Sequence, residues 1–315
     1  MAIKKTNKNT YDSLERIQVA EDWFHVYRIP NDVIAIYEPS HFQGVISYLI
    51  NGSKTALLWD TGMGIGNMKE VVMELTDKPV IVLNSHIHFD HIGSNYLFDE
   101  VLVFDNNDAI NRLKRGYSTA ELIPHTKEKL FYKEAPAGFE RSNYFIPPSN
   151  PRPVQDGDTI DLGDRILEII HAPGHSYESI MLLDKKNKML FTGDGYYPGH
   201  LYAHFDGTVY GKSDIETYAK TMKRISQLVP ELHSIHPSHN YPISDPTILI
   251  KVAEALELLA EGKVSSEKLM RGDLSLASLP DTGEVVEGYV VPDDLYIYDF
   301  DGFSVITRDR HSKSK

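Results

Sequence analysis

A chain of 315 residues with 41% hydrophobic and 24% charged content has the size and balance to pack one core, or a core plus a subdomain, without staples. The absence of Cys excludes disulfides, thiolate metal sites and a cysteine nucleophile. Against 32 Lys+Arg stand 45 Asp+Glu, and the net charge of −13 repels polyphosphate backbones, so no nucleic acid is favoured as a partner.

Met1 to Thr10 begins like the charged part of an export signal, but Tyr11-Asp12-Ser13-Leu14-Glu15-Arg16 follows where an apolar stretch would be needed. No run of ~18 apolar residues occurs elsewhere. The expectation is a cytoplasmic protein with no membrane partner. Short apolar runs then alternate with turn signals: Trp23 to Tyr27, Val33 to Tyr37, Val45 to Ile50 and Thr55 to Trp59, with Pro30-Asn31-Asp32 and Asn51-Gly52 between them. This predicts a meander of strands with a hairpin at Asn51-Gly52. Asp60-Thr61-Gly62 ends it, and Asn67 to Leu75 has the spacing of an amphipathic helix.

Lys78 to Asn84 is a β-branched run that delivers Ser85 and then His86-Ile87-His88-Phe89-Asp90-His91. With 14 His in the chain, such a cluster arises by chance with odds of about one in several hundred. Three imidazoles and a carboxylate in six positions, where a strand gives way to a loop, point to metal ligation. Residues 105 to 153 break the rhythm and read as an insertion near the site. Within it Asn106 to Lys114 and Thr126 to Lys133 have helical patterns, while Pro136, Pro147, Pro148, Pro151 and Pro153 mark an extended remainder. Arg112, Lys114 and Arg115 read as a solvated helix face.

A second set of strands is expected at Thr159 to Leu162, Arg165 to His171, Ser179 to Leu183 and Met189 to Thr192. Helices at Ile215 to Leu228 and Thr247 to Ala260 flank a short strand at Ser234 to His236, and the tail from Val285 to Thr307 is strand-like. After three of these strands come Ala172-Pro173-Gly174-His175-Ser176, Phe191-Thr192-Gly193-Asp194-Gly195 and His236-Pro237-Ser238-His239-Asn240.

Taken with Asp60-Thr61-Gly62 and the His86 to His91 cluster, these motifs resemble, in order, those of the metallo-β-lactamase-fold hydrolases. The resemblance implies an α+β fold, a four-layer αβ/βα sandwich with a helical insertion and a C-terminal extension. The catalytic domain would span 20–245, with 246–315 as a C-terminal helix and strands packed on it. It further implies two divalent metal ions, Zn²⁺ foremost with Fe, Mn or Co as alternatives. His86, His88 and His175 would hold the first ion, Asp90, His91 and His239 the second, and Asp194 would bridge. A shared water ionised near neutral pH would be the nucleophile, with Asp90 among the catalytic groups. Asp60 would orient the metal loop from behind. His236 stands three residues before His239 and competes for its place.

Lactonases of this fold are similar in carrying a Tyr three residues after the bridging Asp, which makes Tyr197 a candidate oxyanion donor. Tyr196, His200, Tyr202 and His204 are expected to line the mouth or the insertion interface. The leading expectation is hydrolysis of a small ester or lactone. The alternatives are thioester or phosphodiester hydrolysis on the same fold and, from another class, a metal-binding sensor without turnover. The substrate is a small molecule in each hydrolytic case, and the C-terminal strands and the insertion are candidates to build a homodimer.

Overall fold

The computed structural model describes residues 11–207, 209–268 and 295–308. The first half forms one eight-stranded sheet in sequential order. Its strands are β1 (Glu15–Ile17), β2 (His25–Ile29), β3 (Val33–Tyr37), β4 (Ile46–Asn51), β5 (Ala56–Trp59), β6 (Val80–Leu83), β7 (Val101–Phe104) and β8 (Pro151–Val154). Strands β1 to β5 pair antiparallel, and β5 to β8 pair parallel. The change of direction follows from the crossover helix α1 (Met68–Leu75), which returns the chain so that β6 runs alongside β5.

The second half supplies β9 (Thr159–Asp161), β10 (Ile166–His171), β11 (Ile180–Asp184), β12 (Met189–Gly193), β13 (His200–Ala203), β14 (Ser234–Pro237), β15 (Glu267–Lys268), β16 (Leu295–Phe300) and β17 (Phe303–Arg308). A five-stranded sheet has the order β14-β12-β11-β10-β9, and a four-stranded one β13-β17-β16-β15. Strand alternation builds the sandwich. Ile46, Tyr48 and Ile50 of β4 and Leu57 and Trp59 of β5 share one core with Leu167 and Ile169 of β10 and Ile180 and Leu182 of β11. The opposite faces carry Leu49, Leu58, Met181 and Leu183, which join the helices in a second core. There α1 contributes Met68, Val71 and Val72, the helix Ile215–Ser226 contributes Ile215, Tyr218, Ala219 and Met222, and the helix Ile248–Ala260 contributes Leu249, Val252, Ala253 and Leu256. Helix, sheet, sheet, helix is the layer order. No helix among the described residues is long and apolar enough to cross a membrane.

The structure departs from the sequence-based expectation at several places. The hairpin at Asn51-Gly52 closes from Gly52 N–H to the Thr55 carbonyl, so Asn51 is still in the strand. Gly52 is required because a Cβ there would lie 2.2 Å from Leu162 Cβ. Thr126 to Lys133 is not an α-helix. Pro124 removes an amide donor ahead of it, and backbone pairing with Ser40, His41 and Phe42 draws Leu130 to Tyr132 into an extended path. Only 3₁₀ turns form, at Ile123–Thr126 and Glu128–Leu130. Pro151 and Pro153 stand inside β8, tolerated because β8 is an edge strand. Arg112 is buried in the helix Asn107–Arg115 rather than solvated, bonding Glu121 and the carbonyls of Gly116 and Val209. Of the expected strand-like tail, residues 285–294 lie outside the described residues.

Candidate metal centre

The candidate side chains gather at the carboxyl ends of β5, β6, β10, β12 and β14, at one end of the sandwich. Asp60, directly after β5, is fully buried and takes the left-handed conformation, φ 62°. Its carboxylate accepts hydrogen bonds from Ser85 N–H at 2.7 Å, Ser85 Oγ at 2.8 Å, His91 Nδ1 at 2.8 Å and Ser238 Oγ at 3.4 Å. One side chain thereby ties together three of the five loops. Gly193 lets β12 approach closely: at φ 52° a Cβ would stand 2.8 Å from Ser85 Cβ. That approach brings Asp194 against the histidines.

The ring tautomers follow from the hydrogen bonds. His91 Nδ1–H donates to Asp60, His175 Nδ1–H to the Tyr202 carbonyl at 2.7 Å and His239 Nδ1–H to the Gln43 carbonyl at 2.7 Å. Ser85 Oγ, which donates to Asp60, accepts from His86 Nδ1–H at 2.9 Å. All four rings therefore turn the lone pair of Nε2 inward. His88 is reversed and presents Nδ1.

Two groups of ligand-type atoms result: His86, His88, His175 and Asp194 in one, Asp90, His91 and His239 in the other, each within 4.8 Å. His88 Nδ1 and His175 Nε2 are 3.1 Å apart, and His91 Nε2 and His239 Nε2 are 3.2 Å apart. Two ligands ~2.0–2.1 Å from one tetrahedral ion would lie about 3.3 Å apart, so these spacings suit a shared cation. Asp90 Oδ2 is 3.7 Å from both His91 and His239 Nε2. Asp194 divides its oxygens: Oδ1 is 3.4 Å from His91 and 3.1 Å from His239, while Oδ2 is 3.5 Å from His175 and 3.9 Å from His86. Among the described residues His86 Nε2 and Asp194 Oδ1 find no hydrogen-bond partner, and both are buried. A donor set of nitrogens and carboxylate oxygens, two of them orphaned, fits a pair of divalent cations.

The electrostatics agree. Burial pushes the His86 and His88 imidazoles well below their ordinary range, and His175 down to about 4. Burial would lower His91 too, but Asp194, Asp90 and Asp60 outweigh it and raise it to about 10; His239 is raised by Asp194 and Asp90 against the same burial. Burial opposes ionisation of Asp194, yet His239 and His91 hold it well below the usual carboxylate range. With no cation bound, the second group keeps protons that a cation would displace.

The other candidates fall outside the cluster. His236 lies within β14, packed on Tyr48 and Phe191 with Nδ1 bonded to the Pro242 carbonyl, while His239 past the strand end reaches the centre. Tyr197 packs its ring 4.8 Å from that of His239, but its hydroxyl donates to the His200 carbonyl at 2.5 Å. Tyr196 packs edge-on to Phe303, and His200 meets Ser304 of β17, so this stretch builds the third sheet.

Several supports carry no sequence signal. Glu178 is buried with Oε1 accepting from Ser176 Oγ at 2.7 Å and Ile87 N–H at 3.4 Å, bridging two of the histidine loops. Glu38, pushed up to about 7 by burial, accepts from Trp23 Nε1 at 2.6 Å and Met63 N–H at 2.8 Å. The insertion stands behind the cluster loop. Tyr117 donates to the Ile87 carbonyl at 3.0 Å, Tyr144 to the Met63 carbonyl, and the His125 ring packs 4.0 Å from Phe89.

Comparison with known proteins gives a consistent result. A family model described as metallo-beta-lactamase superfamily matches residues 42–239. Acyl-coenzyme A thioesterase MBLAC2 of Gallus gallus is 29% identical over 234 residues, 70% of this chain and 82% of that protein. Hydroxyacylglutathione hydrolase GloC of Haemophilus influenzae is 24% identical over 202 residues, 62% and 84% of the two chains. The sec-alkylsulfatase Pisa1 from Pseudomonas sp. has the same fold, with a TM-score of 0.57 at 15% identity over 75% of this chain and 42% of that one.

Proposed function

Because the chain belongs to the metallo-beta-lactamase superfamily, we propose that it is a metal-dependent hydrolase of small-molecule acyl thioesters. The observation that carries the reading is the carboxylate of Asp194, whose two oxygens face two separate groups of imidazoles. His86, His88 and His175 would hold one cation and Asp90, His91 and His239 the other, with zinc favoured by the nitrogen-rich set. When bound, such ions polarise an acyl carbonyl and ionise water near neutral pH. The protein's own part is orientation: Asp60, Ser85 and the carbonyls of Tyr202 and Gln43 lock four of the five imidazoles, those of His91, His86, His175 and His239, in one tautomer. Asp90 places a carboxylate oxygen beside the second group, where it would accept a proton from attacking water.

The thioester is preferred to the lactone on two grounds. Tyr197, the residue that favoured a lactone, has its hydroxyl committed to the His200 carbonyl. The similar proteins from Gallus gallus and Haemophilus influenzae bear names that describe acyl groups on coenzyme A and on glutathione. Phosphodiesters fit less well, since the net charge is −13 and Arg112 turns inward. Metal content and a thiol-release assay over acyl-CoA, acyl-glutathione, lactone and phosphodiester substrates test the reading. Thiol release lost in Asp90→Ala and His86→Ala supports it. Turnover surviving both substitutions, or a wild-type protein that opens lactones and ignores thioesters, overturns it.

A further inference from the structure

The loop that carries His239 leaves the end of β14 and is fastened both at its ends and at its tip. The Tyr48 hydroxyl pins the ends, lying 2.6 Å from the Pro237 carbonyl and 3.1 Å from that of Pro242. Asn240, next to the candidate ligand, holds the tip. It takes the left-handed conformation, φ 67°, which Asn adopts at less cost than most residues because its short polar side chain finds partners nearby. Its polar groups reach three separate segments. The backbone N–H donates to the Gly44 carbonyl at 3.0 Å, the side-chain Nδ2–H donates to the Pro198 carbonyl at 2.6 Å, and the Asn240 carbonyl accepts from the Tyr11 hydroxyl at 3.0 Å.

Those segments flank the His239 ring. Gln43, beside Gly44, supplies the carbonyl that accepts from His239 Nδ1–H at 2.7 Å. Tyr197, beside Pro198, lays its ring 4.8 Å from that of His239 and follows Asp194 in the same loop. Tyr11 stacks on Tyr37 of β3, with 4.9 Å between ring centres, which fixes the hydroxyl it offers to Asn240. The backbones come closest at Gly199, where φ is 140° and a Cβ would stand 3.1 Å from Asn240 Nδ2. The Asn240 amide therefore joins the loop of Asp194 to the loop of His239, the two that set Asp194 Oδ1 3.1 Å from His239 Nε2. Metal–ligand distances tolerate only about 0.2 Å, so a small slip between these loops is felt at the second group. The hydrogen bonds of Asn240 reach none of His86, His88 or His175.

We propose that Asn240 is the positioning residue of the second ligand group, its amide holding His239 and the Asp194 loop at the separation a shared cation needs, an assignment that rests on the two-cation reading above. Metal-free protein is titrated with Co²⁺ in competition with a chromophoric chelator, and the visible absorption of the bound ion is followed at each step. The step that His239→Ala removes belongs to the second group. Asn240→Gly keeps the left-handed backbone and deletes the amide. Gly199→Ala leaves Asn240 in place and crowds its Nδ2 from the other loop. Each variant should weaken the second-group step about tenfold, leave the other step within about twofold of wild type, and alter the absorption of the second-group ion alone. Equal weakening of both steps would mean that the contact only stabilises the fold, and it overturns the assignment. A second-group step unchanged in either variant overturns it too, with the two-cation reading intact. Wild-type protein that binds a single Co²⁺ overturns the two-cation reading itself, and the assignment with it.

Discussion

Asp60 holds its left-handed backbone and full burial because four hydrogen bonds converge on its carboxylate, and the cluster depends on that convergence. It also helps to raise His91, along with Asp194 and Asp90. A pKa raised from 6.5 to about 10 contributes stability that is full below 6.5 and is lost as pH rises through 10. Chelator-treated protein should therefore lose melting temperature between pH 7 and pH 10, and metal-loaded protein should lose less, because a cation replaces the proton. Loading with Zn²⁺ at pH 7.5 should release protons, measurable as a dependence of the binding heat on buffer ionisation enthalpy. Equal heats in all buffers would contradict the protonated second group. Of these residues, His86, His88, Asp90 and His91 were legible in sequence because their density is local. The choice between His236 and His239 was not, since it turns on where β14 ends.

At the level of elements, five strands stop at one edge, and each motif found in the sequence sits just past a strand end. Period-two alternation made most of those strands readable. Residues 105–153 were readable as an interruption but not as a buttress, because hydroxyls such as Tyr117 and Tyr144 act on backbone carbonyls far away in sequence. The 3₁₀ turns in place of a helix at Thr126 to Lys133 have the same origin, pairing with Ser40 to Phe42 overriding local pattern. Tyr117→Phe should cost about 1 kcal/mol in urea denaturation and weaken metal retention, measured by competition with a chromophoric chelator. Retention equal to wild type would mean that the insertion does not support the cluster loop.

For the molecule as a whole, the end opposite the site is closed by a buried ion pair. Arg165 Nε bonds Asp184 at 2.5 Å, and Nη1 donates to the Asn31 carbonyl at 2.7 Å, joining the second sheet to turns of the first. Arg165→Met should destabilise by roughly 3–5 kcal/mol, since Asp184 would be left charged and buried, and Arg165→Met with Asp184→Leu should recover much of it. Denaturation midpoints would show it, and a single variant as stable as wild type would contradict the clamp. The sequence by itself determined most of the strands and the candidate ligand types with their order, because periodicity and motif spacing are local properties. Tertiary structure alone decided pairings on which no motif bears: Tyr197 bonded to a carbonyl, β17 paired to β13, and Arg112 turned inward to the Val209 carbonyl. Those outcomes depend on how two sheets stack and how loops close over them, and no window of sequence contains that information.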